Sequence, residues 1–275
     1  MKPAVTDSRT NSIRTWSPLR KVPPRTEDWE LTFSIVKAKS IGHGGSGTVF
    51  AIDQSKVIKI FSEDTYGKMD LKREKEIFEI LQSRETSKLV VTFKYQWTSG
   101  LVLERLESTL RQRLAGILPP SQPPLALQWV QECSAAVKFI HSHDVIHGDL
   151  GCQNFLVDSN GHIKLCDFAG SKLRGLDAWI SYEVRSQHPT YSGQQPTIKT
   201  EIFALGSVFF EIYTSRPPFP LASSLIVRQK FLAGEFPIQE VSDPDVRHII
   251  QSCWAGEYES VSDVCSALEH MREFL

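Results

Sequence analysis

Apolar and polar positions change their period several times along this chain. From about residue 31 to 61 they read as strands. Phe33 to Ile41 leads into a cluster of glycines, Thr48-Val49-Phe50-Ala51-Ile52 is rich in β-formers, Asp53-Gln54-Ser55-Lys56 is a turn, and Val57-Ile58-Lys59-Ile60 returns. Residues 68–82 switch to helical spacing, with Leu71, Ile77, Phe78 and Leu81 on one side of a charged helix. Leu89 to Trp97 and Leu101 to Leu106 are predicted strands joined at Thr98-Ser99-Gly100. Past the proline-rich piece at 119–124, which ends one short helix and starts another, Trp129, Val130, Cys133, Ala136, Val137 and Ile140 hold helical spacing. Short strands flank Ser159-Asn160-Gly161. Residues 201–213 are apolar nearly all round, the mark of a helix buried in the middle of something, and three further helices are expected after it. The expected fold is α+β and bilobal: a small antiparallel-sheet lobe with one helix at about 31–106, then a larger helical lobe at about 107–275.

Composition narrows the setting. With 275 residues, 41% hydrophobic and 23% charged, the chain has ample length for a buried core. Its net charge of −1 gives no pull toward nucleic acid or an anionic membrane, and no apolar run is long enough for a spanning helix. Cys133, Cys152, Cys166, Cys253 and Cys265 form no C-x-x-C pair and read as reduced thiols, so an intracellular, cytoplasmic setting is expected. Residues 1–28 are rich in Pro, Ser, Thr and Arg and read as a disordered tail ahead of a folded unit at 29–275. Oligomeric state leaves no trace in the sequence.

The chemistry-bearing residues come in order. Gly42-His43-Gly44-Gly45-Ser46-Gly47-Thr48-Val49 matches G-x-G-x-x-G-x-V. A dinucleotide-binding turn would need a helix straight after the glycines; here β-formers follow, which suits a flap whose backbone N–H groups close over phosphates. Lys59, on the third strand, should face away from Ile58 and Ile60. A cation there needs a carboxylate to hold it. The helix offers Glu74, which shares a face with Phe78, and Glu76 as the alternative. The strongest signal is His147-Gly148-Asp149-Leu150-Gly151-Cys152-Gln153-Asn154, followed eighteen residues beyond Asp149 by Asp167 in Cys166-Asp167-Phe168-Ala169-Gly170. Phosphoryl transfer asks mainly for positioning: a carboxylate at the attacking hydroxyl and oxygen ligands for Mg²⁺. Asp149 can serve the first need, Asn154 and Asp167 the second.

On these motifs the chain resembles eukaryotic protein kinases from about residue 31 onward, and is similar to the short, divergent ones common in fungi. The resemblance implies a kinase that uses ATP and Mg²⁺ to phosphorylate a protein hydroxyl, expected to be serine or threonine. Gly42, Gly44 and Gly47 would form the phosphate loop, Lys59 the strand lysine and Glu74 its partner. Leu103 to Leu106, with Glu104 and Leu106 at the nucleotide, would form the hinge. Val49, Val57 and Leu156 would pack the adenine, while His147, Phe168 and Phe78 would stack as an internal spine. Asp149 would be the catalytic base, with Asn154 and Asp167 as metal ligands.

The chain also departs from that family. Gly148 stands where an arginine usually grips an activation-segment phosphate, so activity is expected to be independent of phosphorylation there. Gly151 stands where serine/threonine kinases carry a lysine on the transferred phosphate. Ala169 replaces a glycine, Glu201 an aspartate, and His188-Pro189-Thr190 an Ala-Pro-Glu whose arginine partner is also missing. Two other readings compete: a pseudokinase scaffold, which the gap at Gly151 favours, and an aminoglycoside- or choline-type kinase, which His147 to Asn154 would also suit.

Overall fold

The computed structural model describes residues 39–83, 87–116, 123–191 and 195–271. The predicted tail at 1–28 and most of the segment from Phe33 to Ile41 lie outside these residues.

The small lobe is a five-stranded antiparallel sheet ordered β1-β2-β3-β5-β4. Its strands are β1 (Ser40–Gly44), β2 (Gly47–Ala51), β3 (Lys56–Ile60), β4 (Phe93–Trp97) and β5 (Gly100–Glu104). Strand alternation splits its residues between two faces. Ile58 and Val102, paired across β3 and β5, are buried on one face with Phe50, Ile60 and Trp97 around them. Val57, Leu101 and Leu103 join the main core on the other. Helix α1 (Thr65–Leu81) lies under that second face. It starts three residues before the predicted boundary because Asp64 caps it, accepting from the Gly67 N–H at 2.8 Å.

The strand expected from Leu89 to Trp97 is divided. Only Phe93–Trp97 joins the small sheet. Val91 N–H donates to Leu165 O at 3.0 Å and Leu165 N–H to Leu89 O at 2.9 Å, so this stretch is stitched to the large lobe. It couples the two lobes at their base.

The large lobe is helical around two small sheets. A two-residue strand β6 (Ser108–Thr109) leads to α2 (Leu110–Ala115) and then α3 (Pro123–His141). Short strands β7 (Val145–Ile146), β8 (Phe155–Val157), β9 (Ile163–Leu165) and β10 (Lys172–Leu173) carry the loops between them. Then come α4 (Ile198–Thr214), α5 (Ser224–Leu232), a 3₁₀ turn at Ile238–Glu240, α6 (Pro244–Ala255) and α7 (Val261–His270). Helix α4 begins in a capping box, with the Thr197 and Thr200 side chains each bonding the other's backbone N–H, and residues 201–212 are buried without a break. It is the post against which the lobe is built. Among the described residues no helix is long and apolar enough to cross a membrane.

Candidate active site

Four elements meet at the seam between the lobes. Strand β3 aims Lys59 inward, on the side opposite Ile58 as its alternation requires. Helix α1 sets Glu74 and Phe78 one turn apart, and both are completely buried. Lys59 Nζ donates to Glu74 Oε2 at 2.6 Å and to Asp167 Oδ1 at 2.7 Å. Glu74, not Glu76, is therefore the partner. The tip between β1 and β2 reaches the same place: Ser46 Oγ donates to Asp167 Oδ1 at 3.2 Å.

Electrostatics fixes the charge states. Burial works against the Lys59 ammonium, but the Asp167 and Glu74 carboxylates beside it hold its pKa above the ordinary lysine value. Desolvation pushes Glu74 above the usual carboxylate range, against the pull of Lys59. Asp167 also feels burial, yet Lys59 and the Ser46 hydroxyl keep it below that range and ionised. Its backbone sits at φ 64°, a strained conformation for an aspartate.

The loop after β7 carries the second cluster. Asp149 N–H donates to His147 Nδ1 at 3.2 Å, so His147 donates through Nε2, to the Cys166 carbonyl at 2.9 Å. The His147 ring stands 5.4 Å from that of Phe168, which meets Phe78 edge-on at 5.3 Å. This is the stacked spine expected from the sequence. Asn154 Nδ2 donates to Asp149 O at 2.8 Å and to Asp149 Oδ2 at 3.1 Å. Asp149 Oδ1 is buried and accepts no hydrogen bond among the described residues. Desolvation lifts the Asp149 pKa to about 6, with His147 and Asn154 opposing and the Asp167 charge adding to the rise.

The whole loop hangs from α4. The buried Glu201 accepts from His147 N–H at 3.2 Å, Gly148 N–H at 2.9 Å and the Tyr182 hydroxyl at 3.3 Å, and it contacts His141 Nε2 at 2.9 Å. The extra methylene of glutamate over aspartate thus still lets it hold both backbone donors.

The remaining predicted residues fall around this centre. Gly42, Gly44 and Gly47 form the β1–β2 hairpin. Val57 is buried in the main core, with Val49 and Leu156 partly buried against it. The Glu104 carboxylate accepts from Thr92 N–H at 2.6 Å and from Lys164 Nζ at 2.7 Å, and its backbone N–H donates to Thr92 O at 2.9 Å, so what it has left to offer a nucleotide is its backbone carbonyl. At Leu106 the backbone N–H makes no hydrogen bond among the described residues. Burial and the neighbouring Asp167 carboxylate push the Cys166 thiol pKa above its ordinary value.

Several contacts escaped sequence reasoning. Gly148 has φ +81°, and a Cβ there would meet Ile180 at 2.9 Å, so the missing arginine's place is filled by an apolar side chain from the segment after Asp167. That segment is tied to α1 instead. Trp179 Nε1 donates to Asp70 Oδ1 at 2.6 Å. The Arg73 guanidinium lies 4.3 Å from the Trp179 ring and donates to the carbonyls of Ser171 and Asp177. Asp70 and Arg73 are three apart on one helix face, a pairing signal that nothing local connects to Trp179. Nor does His188 sit beside a charge. Its ring packs on Phe203 at 5.1 Å, and Thr190, which stands in the place of the family's glutamate, lies 3.0 Å from His188 Nδ1 through its hydroxyl.

The donor set fits a hard divalent cation. Asp167 offers ionised oxygens, and Asn154, its nitrogen committed to Asp149, offers its amide oxygen. Three carboxylates against one ammonium leave the seam short of positive charge, and the unpartnered Asp149 Oδ1 leaves it short of a donor.

The protein kinase domain family matches residues 35–271. The chain is 30% identical over 200 residues to the serine/threonine-protein kinase RUNKEL of Arabidopsis thaliana, a match covering 66% of this chain and 14% of that protein. It is 20% identical over 293 residues to the mitogen-activated protein kinase kinase kinase 5 of the same plant, covering 98% and 41%. It is 27% identical over 158 residues to the serine/threonine-protein kinase PrkC of Bacillus subtilis, covering 55% and 24%. The chain thus spans well under two thirds of these relatives. The family match runs through both lobes and the seam where Lys59, Glu74 and Asp167 meet, and the chain belongs to the protein kinase domain family.

Proposed function

We propose that this chain transfers the γ-phosphoryl group of ATP, with Mg²⁺, to a serine or threonine hydroxyl of a protein. The observation that carries the reading is the buried Lys59 ammonium clamped between Glu74 and Asp167, with the unpartnered Asp149 carboxylate oxygen in the adjoining loop. Lys59, held by Glu74, binds the α- and β-phosphates. The backbone of Gly42 to Gly47 covers them. Asp167 and Asn154 hold the metal, which when bound neutralises the charge that develops on the phosphates. Asp149 accepts a hydrogen bond from the acceptor hydroxyl and orients it. Val49, Val57 and Leu156 supply apolar surface for the base, and Leu106 N–H a hinge donor.

The relatives named as serine/threonine kinases support a protein acceptor over a small molecule. The test is label transfer from [γ-³²P]ATP to a panel holding generic protein acceptors alongside choline and aminoglycosides. Label on protein is expected. Label on the small molecules alone overturns the reading.

Two results should accompany that transfer. Asp149 has to be ionised to accept the hydroxyl proton, and its pKa is lifted to about 6. The log of kcat/KM should therefore rise with pH and level off above about 6. A flat profile down to pH 4.5 would remove Asp149 from this role. The segment after Asp167 is fastened by Trp179, Asp70 and Arg73 with no phosphate. Phosphatase treatment should leave the rate within about twofold, whereas Trp179→Ala should lower it about tenfold by loosening α1 and the Lys59–Glu74 pair.

A further inference from the structure

Among the described residues, only three buried side-chain nitrogen or oxygen atoms have no hydrogen-bond partner: Asp149 Oδ1, Gln153 Oε1 and Gln153 Nε2. All three sit in one short loop. Leaving a buried amide unpaired is costly, and folded proteins rarely tolerate it without a reason. The Asp149 oxygen already has a reason in the acceptor hydroxyl. Gln153 has none yet.

The place of that amide is set by Gly151. The loop turns back on itself, with Asn154 N–H donating to Gly151 O at 2.9 Å. This lays the Gln153 side chain over residue 151. A Cβ on Gly151 would stand 2.3 Å from Gln153 Oε1, 2.7 Å from Nε2 and 2.8 Å from Cδ. The glycine is therefore the hole into which the amide fits. Any side chain there, the family's lysine included, would expel it. The family's cation at 151 is absent, and the neutral Gln153 amide lies over the space in which a side chain on residue 151 would start.

We propose that the Gln153 side-chain amide takes over the missing lysine's task, its N–H donating to an oxygen of the transferring phosphoryl group. No bond is made or broken by Gln153; it contributes one hydrogen bond that strengthens as charge gathers on that oxygen. A neutral donor gives roughly half the strength of a charged one. The chain then gains a working substitute at the cost of speed. This role rests on the phosphotransfer reading above.

The test is a double-mutant cycle on residues 151 and 153, read as kcat, KM for ATP and melting temperature. Gln153→Ala should lower kcat about 10²-fold and leave KM for ATP within about twofold. Because it deletes an unpaired buried amide, it should also melt at or above the wild-type temperature with no nucleotide present. Gly151→Ala should cost a similar factor in kcat by displacing the amide. The double variant should be no slower than Gln153→Ala alone, since the displaced group is already absent. A Gln153→Ala enzyme with wild-type kcat overturns the inference and leaves the phosphotransfer reading standing. So does a lowered melting temperature in the nucleotide-free variant, which assigns Gln153 a structural role, and so do two losses that multiply. A wild-type chain that transfers no phosphate to any acceptor overturns the phosphotransfer reading itself, and this role with it.

Discussion

Asp149→Asn is expected to slow phosphate transfer by about 10³-fold while ATP affinity and the fold survive. Among the described residues the carboxylate accepts one hydrogen bond, from Asn154 Nδ2 to Oδ2 at 3.1 Å. Asparagine keeps the shape and an acceptor oxygen for Asn154 Nδ2, and loses only the ability to take a proton. The same change should not weaken the protein. Desolvation holds the Asp149 pKa above its unfolded value, so the folded chain binds a proton there more tightly than the unfolded chain does. That contribution to stability is present at low pH and is lost as pH climbs through about 6. At pH 7.5 the buried charge is a burden that asparagine removes. Activity should collapse while the melting temperature holds or rises. A melting temperature well below wild type would mean that the carboxylate is structural.

Lys59→Met carries the second large effect, and here stability and activity fall together. Lys59 is 5% exposed and Glu74 fully buried. Removing one member of a buried ion pair strands the other, at a cost of about 3–5 kcal/mol. For a domain of this size that is a drop in melting temperature of about 10 °C. Transfer should fall at least about 10²-fold with the loss of the cation proposed to bind the phosphates. Adding Glu74→Gln tells the two losses apart. Glutamine keeps an acceptor for Phe168 N–H, which lies 3.4 Å from Glu74 Oε1, and leaves no charge at the fully buried position; Asp167, the other partner of Lys59, keeps 35% of its side chain exposed to water. The double variant should regain most of the melting temperature and none of the transfer. Calorimetry and a transfer assay on the three proteins check this. If the double variant stays as unstable as the single one, the pair is not what holds α1 to β3.

How much of this was legible in the sequence depended on how local each signal was. Lys59 faces inward because its own strand alternates, and Glu74 and Phe78 share a face because of helical spacing; both could be read from a few neighbouring residues. The spacing within His147 to Asn154 and on to Asp167 placed the other half of the site, and the all-round apolar pattern at 201–213 gave the buried helix. Boundaries were less legible. The stretch from Leu89 to Val91 has a strand's composition, but its partner is Leu165, and nothing within ten residues reveals that choice. The same holds for Trp179, whose partners Asp70 and Arg73 are more than a hundred residues away in sequence. Glu104 looked like a hinge residue for the nucleotide, yet its carboxylate is spent on Thr92 and Lys164. Gly148 and Gly151 were readable as losses, an arginine and a lysine missing. What fills each space, Ile180 in one case and the Gln153 amide in the other, is a matter of packing. A motif comparison records the missing charge and cannot record its replacement.

The proposed transfer needs the small-lobe ammonium of Lys59 and the large-lobe oxygens of Asp167 and Asn154 to share a single ligand. The measurement that tests it most directly is a crystal structure with Mn²⁺ and a non-hydrolysable ATP analogue, using the manganese anomalous signal to find the metal. The expected result is a peak in contact with Asp167 and Asn154, with the analogue's phosphates on Lys59 beneath the Gly42 to Gly47 hairpin. An analogue bound elsewhere, or a Lys59–Asp167 contact left closed with no nucleotide between the lobes at saturating concentration, would contradict it.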